Sequence, residues 1–159
     1  MSLSRSAKDI LAVPQERLRI TQALILDWHD GPVSGFLRFE TPPTAWQFEL
    51  LAEHYEDEDA NDRVYLLAEV AVDLWEKTSD ILIDQRDDHR IAWVPSWQFE
   101  SDDELVAAEE AVARLEESAG VPEFLIRLSN SLQVSEIWVI RNGALSLADL
   151  QDNKRACIA

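Results

Sequence analysis

The chain is poor in cysteine, glycine and basic residues. Of its 159 residues one is cysteine, Cys157, so no disulfide can form within the chain and no cysteine-based zinc site can be built. A reducing, cytoplasmic setting fits that usage. Long apolar runs are also missing. No stretch approaches the ~18 apolar residues of a spanning helix, and no signal-type apolar segment opens the sequence, so a soluble cytoplasmic protein is expected. The terminal Cys157-Ile158-Ala159 falls one residue short of a prenylation box. Lys and Arg number 14 against 31 Asp and Glu, a formal net charge of −17. A field of that sign repels nucleic-acid backbones and anionic membranes and favours cations and basic proteins. The P-loop, the G-x-G-x-x-G fingerprint and the G-x-S-x-G nucleophile elbow are absent as well.

What is present suits one globular domain over 1–159. The composition is 47% hydrophobic, and a domain of this length buries about 70% of the surface its unfolded chain exposes, enough for a proper core. Met1 to Val13 read as a mobile or weakly helical lead-in, and the polar tail, 150–159, as mobile. From Arg17 the pattern takes period two: Leu18, Ile20, Leu24, Leu26 and Trp28 share one face, with Gln22 interrupting, which predicts a half-buried strand. His29-Asp30-Gly31-Pro32 is turn chemistry, since Asp bonds its own backbone, Gly tolerates positive φ and Pro fixes φ. Gly35 to Glu40 forms the return strand. Ala45 to Glu53 alternates Trp46, Phe48 and Leu50 against Gln47, Glu49 and Leu51 and forms a third strand; Arg63 to Glu69 forms a fourth.

The period then changes. Val70, Leu74, Trp75, Thr78, Ile81 and Leu82 recur at three and four, predicting a helix over 71–83. Ile91 to Val94 is a short strand. Ser101 with Glu104 makes a capping box, Asp102 and Asp103 suit the first turn, and Gly120 with Pro122 closes the helix, here placed over 102–119. Phe124 to Leu128 suits a helix with Pro122 at its first position or a strand, and the Phe-Leu-Ile run favours the strand; Glu136 to Arg141 reads as a strand, followed by an Asn142-Gly143 hairpin turn. Strands, then helices, then strands with tight connections indicate an α+β fold: a largely antiparallel sheet opening with a meander, with helices packed on one face.

The meander places the His29 turn and the loop after His54 at one end of the sheet. That end gathers Asp27, His29, Asp30, His54, Glu56, Asp57, Asp59 and Asp62 as a candidate binding edge. If strand geometry persists, Asp27 points the same way as His29, and His54 the same way as Glu56. Two imidazoles with carboxylates suit zinc, manganese or iron, so His29 and His54 are metal-ligand candidates and a metal-dependent hydrolase is an alternative reading. The fixed spacing of H-E-x-x-H is missing. Asp57, Asp59 and Asn61 imitate the start of an EF-hand loop, but Asp62 stands at the glycine position and Ala68 at the bidentate-glutamate position, which rejects that motif. Asp87-Asp88-His89, in a charged connection, reads as a solvated turn. Of the six tryptophans, Trp28, Trp46, Trp75 and Trp138 fall on apolar faces and read as core. Trp93 and Trp97 flank Pro95 and support a third reading, a small-ligand binder. Glu100 to Glu117 contains eight acids and one base, Arg114, an almost purely negative helix face.

The run Trp28-His29-Asp30-Gly31-Pro32-Val33-Ser34-Gly35 resembles the opening of a group of small, uncharacterised bacterial proteins, in which an aromatic-x-Asp-Gly-Pro-x-x-Gly hairpin precedes a short sheet. The resemblance covers the first third to half of the chain. It implies the hairpin and carries no activity or functional residue. With no catalytic motif, no resident cofactor is expected. The leading expectation is a non-enzymatic interaction domain that binds a basic protein partner, as an inhibitor or immunity-type protein does, with no nucleic-acid or membrane role.

Overall fold

The structure, a computed structural model, describes residues 3–53, 62–83, 91–93 and 101–140. Among the described residues seven strands form one sheet in the order β5-β1-β2-β3-β4-β6-β7. They are β1 (Ile20–Trp28), β2 (Pro32–Phe39), β3 (Ala45–Glu53), β4 (Arg63–Val70), β5 (Ile91–Trp93), β6 (Pro122–Leu128) and β7 (Val134–Val139). All neighbours are antiparallel except β5, which runs parallel to β1 through Ala23–Ile25. Among the described residues three α-helices complete the α+β fold: α1 (Arg5–Ala12), α2 (Val72–Leu82) and α3 (Asp102–Glu117). None of the described helices is long and apolar enough to cross a membrane.

The period-two alternation gives the sheet two apolar faces. Ala23, Ile25, Leu37, Phe39, Trp46, Phe48, Tyr65, Leu67, Phe124, Ile126 and Leu128 share one core. Aromatic rings interlock there: Trp46 meets Phe124 and Phe48 meets Tyr65 edge to face, each pair with centroids 5.3 Å apart. Leu24, Phe36, Ala45 and Val70 point the other way, toward Trp75 of α2 and Leu115 of α3. Gln22, the polar interruption in β1, accepts a hydrogen bond from the Trp75 indole at 3.3 Å, so the break in pattern gives a buried Trp its acceptor.

The helices α2 and α3 pack on one face of the sheet and touch each other. The Ala71 N–H donates to Ser118 Oγ at 3.1 Å, tying the start of α2 to the end of α3. Ser101 caps α3 by accepting from the Glu104 N–H. Ile81, assigned to the apolar stripe of α2 from periodicity, is 51% exposed. The lead-in is more structured than its sequence suggests. Ser4 caps α1 by accepting from the Ala7 N–H, and Ala7 and Ile10 are buried in the aromatic core on the other face. The Ser4 N–H donates to the Glu123 carboxylate at 2.9 Å, and the Gln15 amide donates to the Ser135 carbonyl. Those two bonds carry the N-terminal segment across the sheet to β6 and β7. At eight residues α1 is too short to hold itself; its tertiary contacts hold it. The Asn142-Gly143 turn and 150–159 lie outside the described residues.

Candidate acidic interaction surfaces

The β1–β2 turn is held from two strands away. Residues 29–31 bridge the last pair of the ladder, Trp28 and Pro32. Asp30 has φ 56° and Gly31 φ 145°, both in the region that favours Gly or Asx residues. The His29 N–H donates to the Gly31 carbonyl at 2.9 Å. Beneath the turn, the buried Arg63 guanidinium donates to the His29 carbonyl at 2.7 Å and the Pro32 carbonyl at 3.2 Å, and the Tyr65 hydroxyl donates to the Pro32 carbonyl at 2.6 Å. A Cβ on Gly31 would lie 2.7 Å from Asn130 Oδ1. Three side chains from β4 and the β6–β7 connection therefore shape the floor of the turn. Gly35 has a different task from the one its motif suggests. It sits within β2, where a Cβ would run into the Leu24 carbonyl oxygen, so it is required by close approach to β1 rather than by the turn.

On that floor Asp27, Trp28, His29 and Asp30 are all exposed. For Trp28, read from the sequence as core, this is a correction: it is 40% exposed. The ladder of β1 shifts register between Ile25 and Asp27 and again between Asp27 and Trp28, so alternation breaks before the tryptophan is reached. The same irregularity removes the premise for pairing Asp27 with His29, because strand geometry ends at Trp28.

Glu53 and Arg63 are paired across β3 and β4 at the same end as the turn. The chain thus leaves and re-enters the sheet where the meander argument put it. His54, Glu56, Asp57 and Asp59 lie outside the described residues, as do Asp87-Asp88-His89 and Trp97. Asp62 is described and takes a separate place. Arg127 Nε approaches Asp62 at 3.2 Å, Ser135 donates to Asp62 at 3.2 Å, and Arg127 also pairs with Glu136. Asp62, just before β4, joins a network with Arg127 of β6 and Ser135 and Glu136 of β7, while its neighbour Arg63 reaches under the turn. Among the described residues no group of three or more His, Cys, Asp or Glu is placed to hold a metal.

The second acidic surface is α3. Its inner face buries Ala108 and Leu115. On its outer face Asp102, Glu109 and Glu116 recur every seven residues, and so do Asp103, Glu110 and Glu117; all six are exposed. Seven residues make nearly two turns, about 10.5 Å of rise with a drift of only about 20°. The six carboxylates therefore stand in two nearly parallel rows. Between the rows lie Val106, 49% exposed, and Ala113, also exposed. The double row is written in DDELVAAEEAVARLEE as acid pairs at a spacing of seven. Counting charge along the helix shows a negative face; only that spacing shows its order.

Asp27, His29, Asp30 and the six carboxylates of α3 face solvent. No family model, curated protein or solved structure matches the chain.

Proposed function

We propose that the protein is a non-enzymatic interaction domain whose acidic surface binds a basic protein, in the manner of an inhibitor or immunity-type protein. The observation that carries this reading is the double row of exposed carboxylates on α3 flanking the Val106–Ala113 seam. Such a face complements a basic amphipathic helix with Lys or Arg at seven-residue spacing. The charges speed encounter and set register, and the small apolar seam allows close approach. The β1–β2 turn supplies a second contact. Its backbone is held before binding, so little ordering cost attaches to Trp28, the residue type most enriched at energetic centres of interfaces.

A synthetic basic helical peptide with Lys at every seventh position tests the proposal against a scrambled peptide of equal charge. The patterned peptide is expected to bind more tightly, with a steep fall as salt rises, and Glu110→Lys with Glu117→Lys is expected to abolish the preference. Equal binding of both peptides, or unchanged binding by the double variant, would overturn it.

A further inference from the structure

The N-terminal segment crosses the face of the sheet opposite α2 and α3. Ser4 meets Glu123 at the start of β6, and Gln15 meets Ser135 near the start of β7. The two strands are antiparallel, with Phe124 opposite Val139 and Ile126 opposite Ile137. The two contacts therefore stand at opposite ends of this strand pair, and α1 lies along it. Phe124, Ile126 and Leu128 of β6 belong to the cluster that buries Ala7 and Ile10, and Ile137 and Val139 of β7 pack against it. Leu3 and Val13, flanking the helix, pack against the same cluster.

The charges of α1 work against it. Arg5 stands in its first turn with no acid, and Asp9 in its last turn with no base, so both ends oppose the macrodipole. In α3 the arrangement is the reverse, with three acids in the first turn and Arg114 in the last. Arg5, Lys8, Asp9, Leu11 and Ala12 are exposed. Docking of α1 thus rests on Ala7, Ile10 and the two flanking residues. Among the described residues, two hydrogen bonds fasten residues 3–15 to strands distant in the chain, those of Ser4 and Gln15. The first sets a direction: the Glu123 carboxylate receives an N–H at the helix N-terminus, the end that favours negative charge. An element with few buried side chains and little helical stability of its own opens at a small part of the cost of global unfolding. Its opening uncovers an apolar strip that ends in a carboxylate. That strip accepts one helix face, with small and branched apolar side chains three apart and the N-terminus at the acid.

We propose that residues 3–13 form a releasable strap, and that the β6–β7 face beneath it docks an amphipathic helix of a protein partner with its N-terminus at Glu123. α1 holds this site closed until a helix of better intrinsic stability displaces it. The site lies on the face of the sheet away from α3, so the proposal stands apart from the patterned acids.

Amide hydrogen exchange of the full chain reads the strap. Amides 8–12 are expected to exchange by local opening, while those of β3 and β4 exchange with global unfolding. Lys8→Gly, on the exposed side of α1, is expected to speed exchange of amides 8–12 about threefold. Glu123→Ala removes the acceptor of Ser4 and is expected to speed it about tenfold. Glu123→Gln keeps an acceptor and is expected to recover most of that change. Amides of β3 and β4 are expected to hold their rates in all three variants. Docking is read with an acetylated peptide of residues 3–13, followed by the backbone resonances of β6 and β7. The full chain carrying Ile10→Asp, whose own strap is disabled, is expected to bind it saturably, and the intact chain about tenfold more weakly. The same peptide carrying Ile10→Asp is expected not to bind. Exchange of amides 8–12 only with global unfolding, rates unchanged by Glu123→Ala, or rates raised equally throughout the sheet would overturn the proposal. So would an Ile10→Asp chain that binds the peptide no better than the intact chain. Glu123→Ala leaves the apolar contacts of α1 in place and keeps the exchange result decisive if Ile10→Asp does not fold.

Discussion

At the β1–β2 turn the acidic side chains ride on backbone that β4 holds in place; on α3 they ride on a helix whose own sequence supplies its start. The turn requires two residues at positive φ and depends on Arg63 and Tyr65, which lie at least 31 residues along the chain from the backbone they support. The helix depends on a local cap, acids in its first turn and an apolar stripe every three to four residues. The same kind of charge is thus displayed on a tertiary platform in one region and on a local one in the other. Damage to the platform should therefore be felt globally at the turn and only locally along the outer face of α3.

Mutations can break or sharpen that comparison. Arg63→Ala takes the largest toll, because it strips donors from two carbonyls and leaves space under the turn; about 3 kcal/mol of lost stability is expected, read by chemical denaturation. Gly35→Ala forces a Cβ against the Leu24 carbonyl, and about 2 kcal/mol is expected in the same measurement, with hydrogen exchange rising first in the β1–β2 ladder. Tyr65→Phe keeps the ring packed against Phe48 and removes one bond to Pro32, for a loss of about 1–1.5 kcal/mol. Ser101→Ala removes only the α3 cap and should cost about 1 kcal/mol, with fraying confined to the first turn of the helix by hydrogen exchange. Glu110→Lys with Glu117→Lys should leave stability within about 0.5 kcal/mol, since surface charges contribute little to folding, while changing peptide binding. A loss of several kcal/mol in that last variant would erase the contrast between the two regions, as would an Arg63→Ala protein of undiminished stability.

Much of the fold was legible because it is encoded by period and punctuation. The strand at Ala45–Glu53, with Trp46 and Phe48 inward, follows from alternation, and the start of α3 follows from Ser101. Gly120 was read as closing that helix, and its N–H instead joins the Glu69 carbonyl of β4. α1 was harder to read because Ala7 and Ile10 are two apolar contacts in an eight-residue stretch, and only packing against the sheet gives them weight. Trp28 was misplaced because a register shift leaves no trace in composition.

The candidate surfaces divide along the same line. Their acidity, the spacing of seven on α3 and the turn residues at 29–32 are properties of the sequence, since they depend on residue type and near-neighbour geometry. That Trp28 faces solvent, that Asp62 joins Arg127 rather than the turn, and that Ser4 meets Glu123 were decided by strand order and register. Those arrangements bring together residues far apart in the chain through contacts that no local pattern records.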